Sequence, residues 1–310
     1  MNTQTTEALV PPVAAAKSDQ ADTEEQDLGP TLRPKRKFPQ PPPLEHHGPA
    51  RVVALCNQKG GVGKTTTAIN LGAALADYGR KVLLIDFDPQ AALTDGLGFR
   101  GRDFEDSSIY SLVMDGGVDA ADLVVETPIP GMDLLPSHIN LSAAELQLVT
   151  EVAREQALER AIKPLLPDYD VALIDCQPSL GMLTINALTA ANSVIIPVEC
   201  EYFALRGVAL LLATIEKVQR RINPDLVIDG VVATRYDGRT VHGKEILERL
   251  IEGFGEQLFY SVIGRTVKFP ETTAGGLPIT TIAPSSPGAK AYRQLAREVL
   301  LRWTSASTTQ

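Results

Sequence analysis

Val52-Val-Ala-Leu-Cys56-Asn-Gln-Lys59-Gly60-Gly61-Val62-Gly63-Lys64-Thr65-Thr66-Thr67 joins an apolar run of strand length to a helical pattern through a glycine-rich turn. Glycines let the backbone turn tightly and aim several N–H groups inward. The start of the following helix adds its positive end, so such a loop suits a polyphosphate. In the pattern G-x-x-x-x-G-K-[ST], Lys64 would reach the β- and γ-phosphates of a nucleotide and Thr65 would ligate Mg²⁺. The match is not strict. The pattern requires glycine where this chain has Gln58, and a second lysine, Lys59, follows it. A plain glycine turn between strand and helix calls for neither two lysines nor a run of threonines. Lys59, Gly60, Gly61, Val62, Gly63, Lys64, Thr65 and Thr66 are therefore the candidate nucleotide-binding residues.

The same residues carry a resemblance. Lys59 to Thr66 is similar to the deviant Walker A box of the ParA/MinD ATPases, and Asn57-Gln58 before it with Thr67-Ala68-Ile69-Asn70-Leu71 after it narrows the likeness to ParA/Soj. The likeness runs from about Arg51 to Arg302 and leaves the first fifty residues uncovered. It implies a P-loop α/β fold: a doubly wound, mostly parallel sheet with helices on both faces. It also implies an ATPase that needs Mg²⁺ and is weak without its partner. In such a protein Lys59 would reach the γ-phosphate from a facing subunit, as an arginine finger does elsewhere. Lys59, Lys64 and Asp88 are thus the residues expected to be catalytic.

From Arg51 onward the chain alternates apolar runs with helical patterns, which by itself argues for a mainly parallel sheet covered on both faces. Strands are expected at 52–55, 82–85, 132–135, 171–174, 193–197, 227–233 and 257–262, with helices between them. The clearest helix is 205–221, where Leu205, Val208, Leu212, Ile215 and Val218 share a face. In open sheets of this kind ligands sit beyond the carboxyl ends of the strands.

Two acidic motifs fall at such ends. Lys81-Val-Leu-Leu-Ile-Asp86-Phe-Asp88-Pro-Gln puts two carboxylates on one face, because side-chain direction repeats every two residues along a strand. Val171-Ala-Leu-Ile-Asp175 is an apolar strand ending in a third. Carboxylates beside a candidate phosphate loop suit Mg²⁺, so the metal candidates are Thr65, Asp86, Asp88 and Asp175. The resemblance makes Asp86 and Asp88 a Walker A′ motif, with Asp88 positioning the attacking water and Asp86 supporting the metal's shell. It makes Asp175 the Walker B residue, acting through water. The chain departs from the family at Gln90-Ala91-Ala92, where a glycine often follows the glutamine, and at Gln177, which replaces the first proline of Asp-x-Pro-Pro-Ser-Leu. Some relatives on this fold bridge an iron cluster between subunits with cysteines. Here Cys56 lies on the first strand and Cys200 follows the 193–197 strand, so Cys176 has no second cysteine in a suitable loop and no cluster is expected.

Composition bounds the rest. The 310 residues carry 29 Lys and Arg against 38 Asp and Glu, a net charge of −9, which argues against a generally basic nucleic-acid protein. Three cysteines suggest no disulfide framework, no apolar run approaches membrane-spanning length, and the N-terminus has no secretory pattern. A cytoplasmic protein is expected, and the resemblance implies one associated with the nucleoid. Residues 1–49 hold nine prolines, an acidic cluster at 22–27 and basic residues Arg33, Lys35, Arg36 and Lys37. They are expected to form a disordered tail, with one ATPase domain over 50–303 and a flexible end at 304–310. The basic residues would give the tail a weak, salt-sensitive grip on an anionic partner. Adjacent His46 and His47 are expected to be exposed.

Charge is unevenly spread. From Arg235 to Arg302 there are ten Lys and Arg against seven Asp and Glu. Tyr236-Asp-Gly-Arg239-Thr and Ile263-Gly-Arg265-Thr-Val-Lys268-Phe-Pro-Glu271 resemble family segments whose basic residues bind DNA without regard to sequence. Arg239, Arg265 and Lys268 are the DNA-binding candidates. The resemblance thus implies an ATP-dependent homodimer that binds non-specific DNA and is released on hydrolysis promoted by a ParB-like centromere-binding partner. Two alternatives stand beside it. A MinD-like, membrane-recruited ATPase would need a free basic amphipathic helix at the C-terminus, but Tyr292, Leu295, Ala296, Val299 and Leu300 on the last helix read more simply as core packing, and stable membrane insertion is not expected. A P-loop amidoligase or synthase would need a metabolite pocket and a second catalytic constellation.

Overall fold

The computed structural model describes residues 28–114, 117–201, 204–269 and 275–307. Its centre is a seven-stranded sheet formed by β1 (Arg51–Leu55), β2 (Val82–Phe87), β3 (Val125–Glu126), β4 (Met132–Leu135), β5 (Val171–Cys176), β6 (Ser193–Glu199) and β7 (Val227–Thr234), in the order β3-β4-β2-β5-β1-β6-β7. Every pairing is parallel except the short edge pair β3–β4. All residues of β2, β5 and β6 are buried. That is why these strands read as unbroken apolar runs: helices cover them from both sides.

Alternation divides the core in two. Ala54, Leu83, Ile85, Ala172 and Ile174 face one layer, built with the helices Leu141–Gln147, Ala157–Ile162, Met182–Ala190 and Ala204–Arg221. Val53, Leu55, Leu84 and Leu173 face the other, built with the helices Lys64–Asp77 and Pro287–Ser307. Tyr292, Leu295, Ala296 and Val299 of the last helix are all buried in that second layer, so its apolar stripe is core. On the helix Ala204–Arg221 the buried positions are Val208, Leu211, Ile215 and Val218, with Leu212 at the margin; the side chain of Leu205 lies outside the described ones. No helix among the described residues is long and apolar enough to cross a membrane.

The structure departs from the sequence reading in four places. Residues 258–263 run beside β7 but form only a bridge, Val231 to Leu258, and bonds from Phe259 N to Val231 O and Ile263 N to Ala233 O, instead of a strand over 257–262. The Glu298 carboxylate on the last helix accepts the N–H groups of Tyr260 and Ser261, which diverts them from a ladder. The two-residue β3 was not anticipated. The last helix continues through Ser307, past the flexible end expected from 304, while 308–310 lie outside the described residues. Finally, residues 28–49 are not a solvated tail: Thr31 and Phe38 are buried, Arg33 donates to Leu258 O and stacks 3.7 Å above the Tyr260 ring, and His47 Nδ1 lies 2.8 Å from Asp170 Oδ2. Phe38 meets Tyr260 edge-on at 6.0 Å. One aromatic on each side gives this proline-rich stretch the apolar burial its composition did not promise. Residues 1–27 lie outside the described ones.

Candidate functional site

β1 lies between β5 and β6, and β5 lies between β1 and β2. Register then brings the motifs together. Leu55 pairs with Asp175, and Asp175 pairs with Asp86 across β5–β2, so the loop after β1 opens directly above two acidic strand ends. The loop itself turns through Gly61 at φ 74° and Gly63 at φ 88°, values that L side chains rarely adopt, and Gly63 caps the helix Lys64–Asp77. Gly60 differs. Its backbone is unstrained, and a Cβ there would meet only Pro178 Cβ, at 4.0 Å. The loop, with Lys64, Thr65, Thr66 and Asp88, borders a cleft of about 900 Å³.

Thr65 Oγ1 donates to Asp175 Oδ2 at 2.6 Å. The other oxygen, Asp175 Oδ1, is buried with no hydrogen-bond partner, a costly condition unless something else meets it there. Burial, and then the nearby Asp86 charge, push the Asp175 carboxyl up to about 8, against the hydrogen bond from Thr65 and the charge of Lys64. Burial also pushes Asp86 up to about 7, against hydrogen bonds from Thr94 and Asp88. Both Asp86 oxygens are already engaged: Oδ2 accepts from Thr94 N and Oγ1 at 2.8 and 2.6 Å, and Oδ1 from Asp88 N at 3.3 Å. Asp88 lines the cleft, with Oδ1 accepting from Gln90 N and its carbonyl from Ser137 Oγ. The unpartnered oxygen, a hydroxyl beside it and backbone N–H groups over a roomy cleft form a donor set that fits a hard cation bound together with phosphate oxygens. Among the described residues no group of three or more His, Cys, Asp or Glu could hold a metal alone.

The two lysines differ. Lys64 is buried, with Nζ 3.4 Å from Lys59 O. Lys59 Nζ contacts Glu199 Oε2 at 2.9 Å and Glu201 Oε2 at 2.7 Å, while Arg235 Nε holds the other oxygen of Glu199 at 2.7 Å. Burial works against the Lys59 ammonium, but the bonds to Glu201 and Glu199 prevail and raise it. The sequence reading missed this network, although Glu199 and Glu201 show the same spacing at the end of β6 that singled out Asp86 and Asp88 on β2. It also missed Glu145, which accepts from Gln177 Nε2 at 2.5 Å and from the N–H groups of Met182 and Leu183, tying the loop after Asp175 to the helix Leu141–Gln147. Gln177, unexplained as a departure from proline, has its partner there. Cys56 and Cys176 are neighbours as well, with sulfurs 3.1 Å apart in the core.

The basic candidates sit at the rim. Tyr236 N bonds Ile263 O, and Arg265 N bonds Tyr236 O, so the two segments lie side by side. Arg239 and Arg265 border the cleft, and Arg265 and Lys268 are exposed without an ion pair among the described residues. Arg239 forks onto Asp237 at 2.8 and 2.7 Å and holds that carboxyl down at about 2. Residues 270–274, including Glu271, lie outside the described ones.

Residues 50–228 match the family model AAA_31, described as an AAA domain. An uncharacterized protein of Mycobacterium tuberculosis is 55% identical over 276 residues, 89% of this chain and 86% of its own length. The sporulation initiation inhibitor protein Soj of Bacillus subtilis is 45% identical over 80% of this chain and 98% of its own length. A crystal structure described as cobyrinic acid a,c-diamide synthase from Mycobacterium smegmatis with bound ADP and magnesium is 42% identical, with a TM-score of 0.73 over 83% of this chain and 96% of that one.

Proposed function

Because the chain belongs to the ParA/Soj chromosome-partitioning ATPases, we propose that it hydrolyses ATP in a sandwich dimer that grips DNA without regard to sequence and lets go on hydrolysis. A ParB-like protein at the centromere would stimulate that hydrolysis. The observation that carries the reading is the Asp175 carboxylate, bonded to Thr65 on one oxygen and orphaned on the other beneath the phosphate loop.

The roles follow from placement. Lys64 and the loop N–H groups hold the β- and γ-phosphates. Thr65 and Asp175 hold Mg²⁺, which when bound neutralises charge on the phosphate oxygens. Asp88, which lines the cleft, orients the attacking water. Asp86 has its oxygens committed to Thr94 and Asp88 N, so it fixes the Asp88 turn and stands behind the metal's shell. Lys59 acts on the γ-phosphate of the facing subunit, where more positive charge is needed as bonds to the phosphoryl group loosen. Gly60 keeps the same face bare for the partner.

One acidic subunit offers few basic contacts. A closed dimer doubles them on one surface, and two weak grips become a single avid one. DNA binding is therefore expected to require ATP and to weaken steeply with salt. Arg239, locked to Asp237, contributes less than Arg265 and Lys268. The test is a mobility shift on unrelated duplexes with ATP, ADP or no nucleotide across a salt series, using the Arg265→Glu/Lys268→Glu double variant. Because Arg265 also borders the cleft, ATP binding and dimerisation of that variant are measured alongside, and both should persist while DNA binding is lost. Equal binding in all three nucleotide states would overturn the reading.

The competing readings predict other outcomes. Membrane recruitment would require the last helix to leave the core with its buried Tyr292, Leu295 and Val299, and co-sedimentation with liposomes against DNA separates the two. A synthase, as named for the M. smegmatis structure, would need an acceptor substrate before it consumed ATP productively, whereas a partition ATPase hydrolyses ATP with none added.

A further inference from the structure

Lys59 reaches both carboxylates at the end of β6, Glu199 at 2.9 Å and Glu201 at 2.7 Å. The two anchors are unequal. The Glu199 side chain is 8% exposed and also accepts from Arg235, whereas that of Glu201 is 55% exposed and bonds Lys59 from the solvent side. An ammonium has three donors on one atom. While it stays in this grip, two of the three are committed to Glu199 and Glu201, which leaves one for a phosphate held by another subunit. We propose that Glu199 and Glu201 latch Lys59 in the nucleotide-free subunit, so that the dimer closes only when ATP draws Lys59 away from both. The latch rests on the reading of Lys59 as the lysine that acts across the interface.

The arrangement is built to open. When Lys59 leaves, the buried Glu199 keeps its ion pair with Arg235 at 2.7 Å, so no buried carboxylate is left without a cation, the situation that makes breaking a buried pair so unfavourable. Glu201 is left in water, where a carboxylate needs no partner. Glu199 and Glu201 are thus positioning residues. They set how much ATP is needed to close the dimer, and they take no part in the chemistry.

The test uses Glu201→Gln, an exposed change that leaves shape and fold intact, in the full chain. In nucleotide-free protein, the rate at which limiting acetic anhydride acylates the Lys59 amine, read by mass spectrometry against the other lysines, should rise about two- to fivefold, the factor of one part-exposed ion pair. An ATP titration followed by light scattering should show half-maximal dimerisation at an ATP concentration lower by a similar factor. A glutamate that only pairs with Lys59, without restraining closure, would raise the labelling rate and leave the midpoint where it is. If wild type dimerises with ATP but the variant leaves the midpoint unchanged, the latch is overturned and the dimer reading stands. If labelling rises but wild type never dimerises, the dimer reading fails and takes the proposal with it.

Discussion

Replacing Asp175 by asparagine removes a charge from a site that, without nucleotide, holds it at a disadvantage. Burial and the neighbouring Asp86 carry the Asp175 carboxyl to about 8, against an ordinary value near 4 in an unfolded chain. A carboxyl whose folded value lies above its unfolded one binds more protons in the folded state between the two values. Stability is therefore fully present below about pH 4 and falls as pH rises through the window to about 8. Each unit corresponds to about 1.4 kcal/mol. A shift of this size, reduced by relaxation around the site, leaves the nucleotide-free fold on the order of 3 kcal/mol less stable at pH 8 than it would be without the charge. Asparagine keeps the shape and an oxygen to accept from Thr65 Oγ1. Nucleotide-free Asp175→Asn should then resist urea better than wild type at pH 8 by roughly that amount, and the two should converge near pH 4. Asp86, raised to about 7, titrates in the same window in both proteins, so the variant is compared with wild type at each pH; Asp170 and Asp237 are both held below the usual carboxylate range and titrate outside it. Adding ATP and Mg²⁺ at pH 8 should reverse the order, because wild type gains about 4.1 kcal/mol at a thousandfold excess over Kd and the variant gains little. Wild type and variant of equal stability at both pH values would refute the account of the buried carboxylate. A variant stabilised by Mg²⁺ and ATP as strongly as wild type would remove Asp175 from the metal site.

Lys64→Ala takes a buried cation from beside the loop, and ATP affinity measured by calorimetry should collapse in a protein that still gives the wild-type far-UV spectrum; near-normal affinity would sink the phosphate-loop assignment. Asp88→Ala should bind ATP and dimerise but hydrolyse it at a small fraction of the wild-type rate, leaving a long-lived dimer in size-exclusion runs, whereas unchanged turnover would take Asp88 out of the mechanism. Gly60→Val should fold with stability within about 1 kcal/mol of wild type, since the nearest atom to a new Cβ is Pro178 Cβ at 4.0 Å. Together with Lys59→Ala it should bind ATP yet stay monomeric in light scattering, and ATP-dependent dimers of both variants would refute the sandwich.

What could be read from the sequence follows the range of the forces involved. Strand-end carboxylates at Asp86 and Asp175 were legible because a parallel sheet repeats a local pattern, an apolar run ending in an acid, and register does the rest by pairing Asp86 with Asp175. The side chain of Lys59 was not legible in the same way. Its charge called for an explanation, but its counterions lie 140 and 142 residues downstream on β6, brought near only because β6 pairs with β1. Glu145 and Gln177 show the same limit, since a polar residue in place of proline signals a partner without naming it. The stretch 28–49 shows where composition misleads. Nine prolines in the first forty-nine residues argue for a chain that cannot bury itself, yet contacts spaced along it seat residues 28–49: Tyr260 offers an edge to Phe38 and a face to Arg33, Arg80 donates to Pro42 O, and Asp170 takes His47 and the Gly48 N–H. Segments of this kind are held by a few contacts with a surface already formed by the rest of the fold. Their order is therefore decided by residues such as Tyr260, more than two hundred positions away, and not by their own pattern. The same seating has a consequence for function: of the four basic residues expected to grip an anionic partner, Arg33 has its guanidinium committed to Leu258 O and the Tyr260 ring, whereas Lys35, Arg36 and Lys37 keep exposed side chains from which such a grip would have to come.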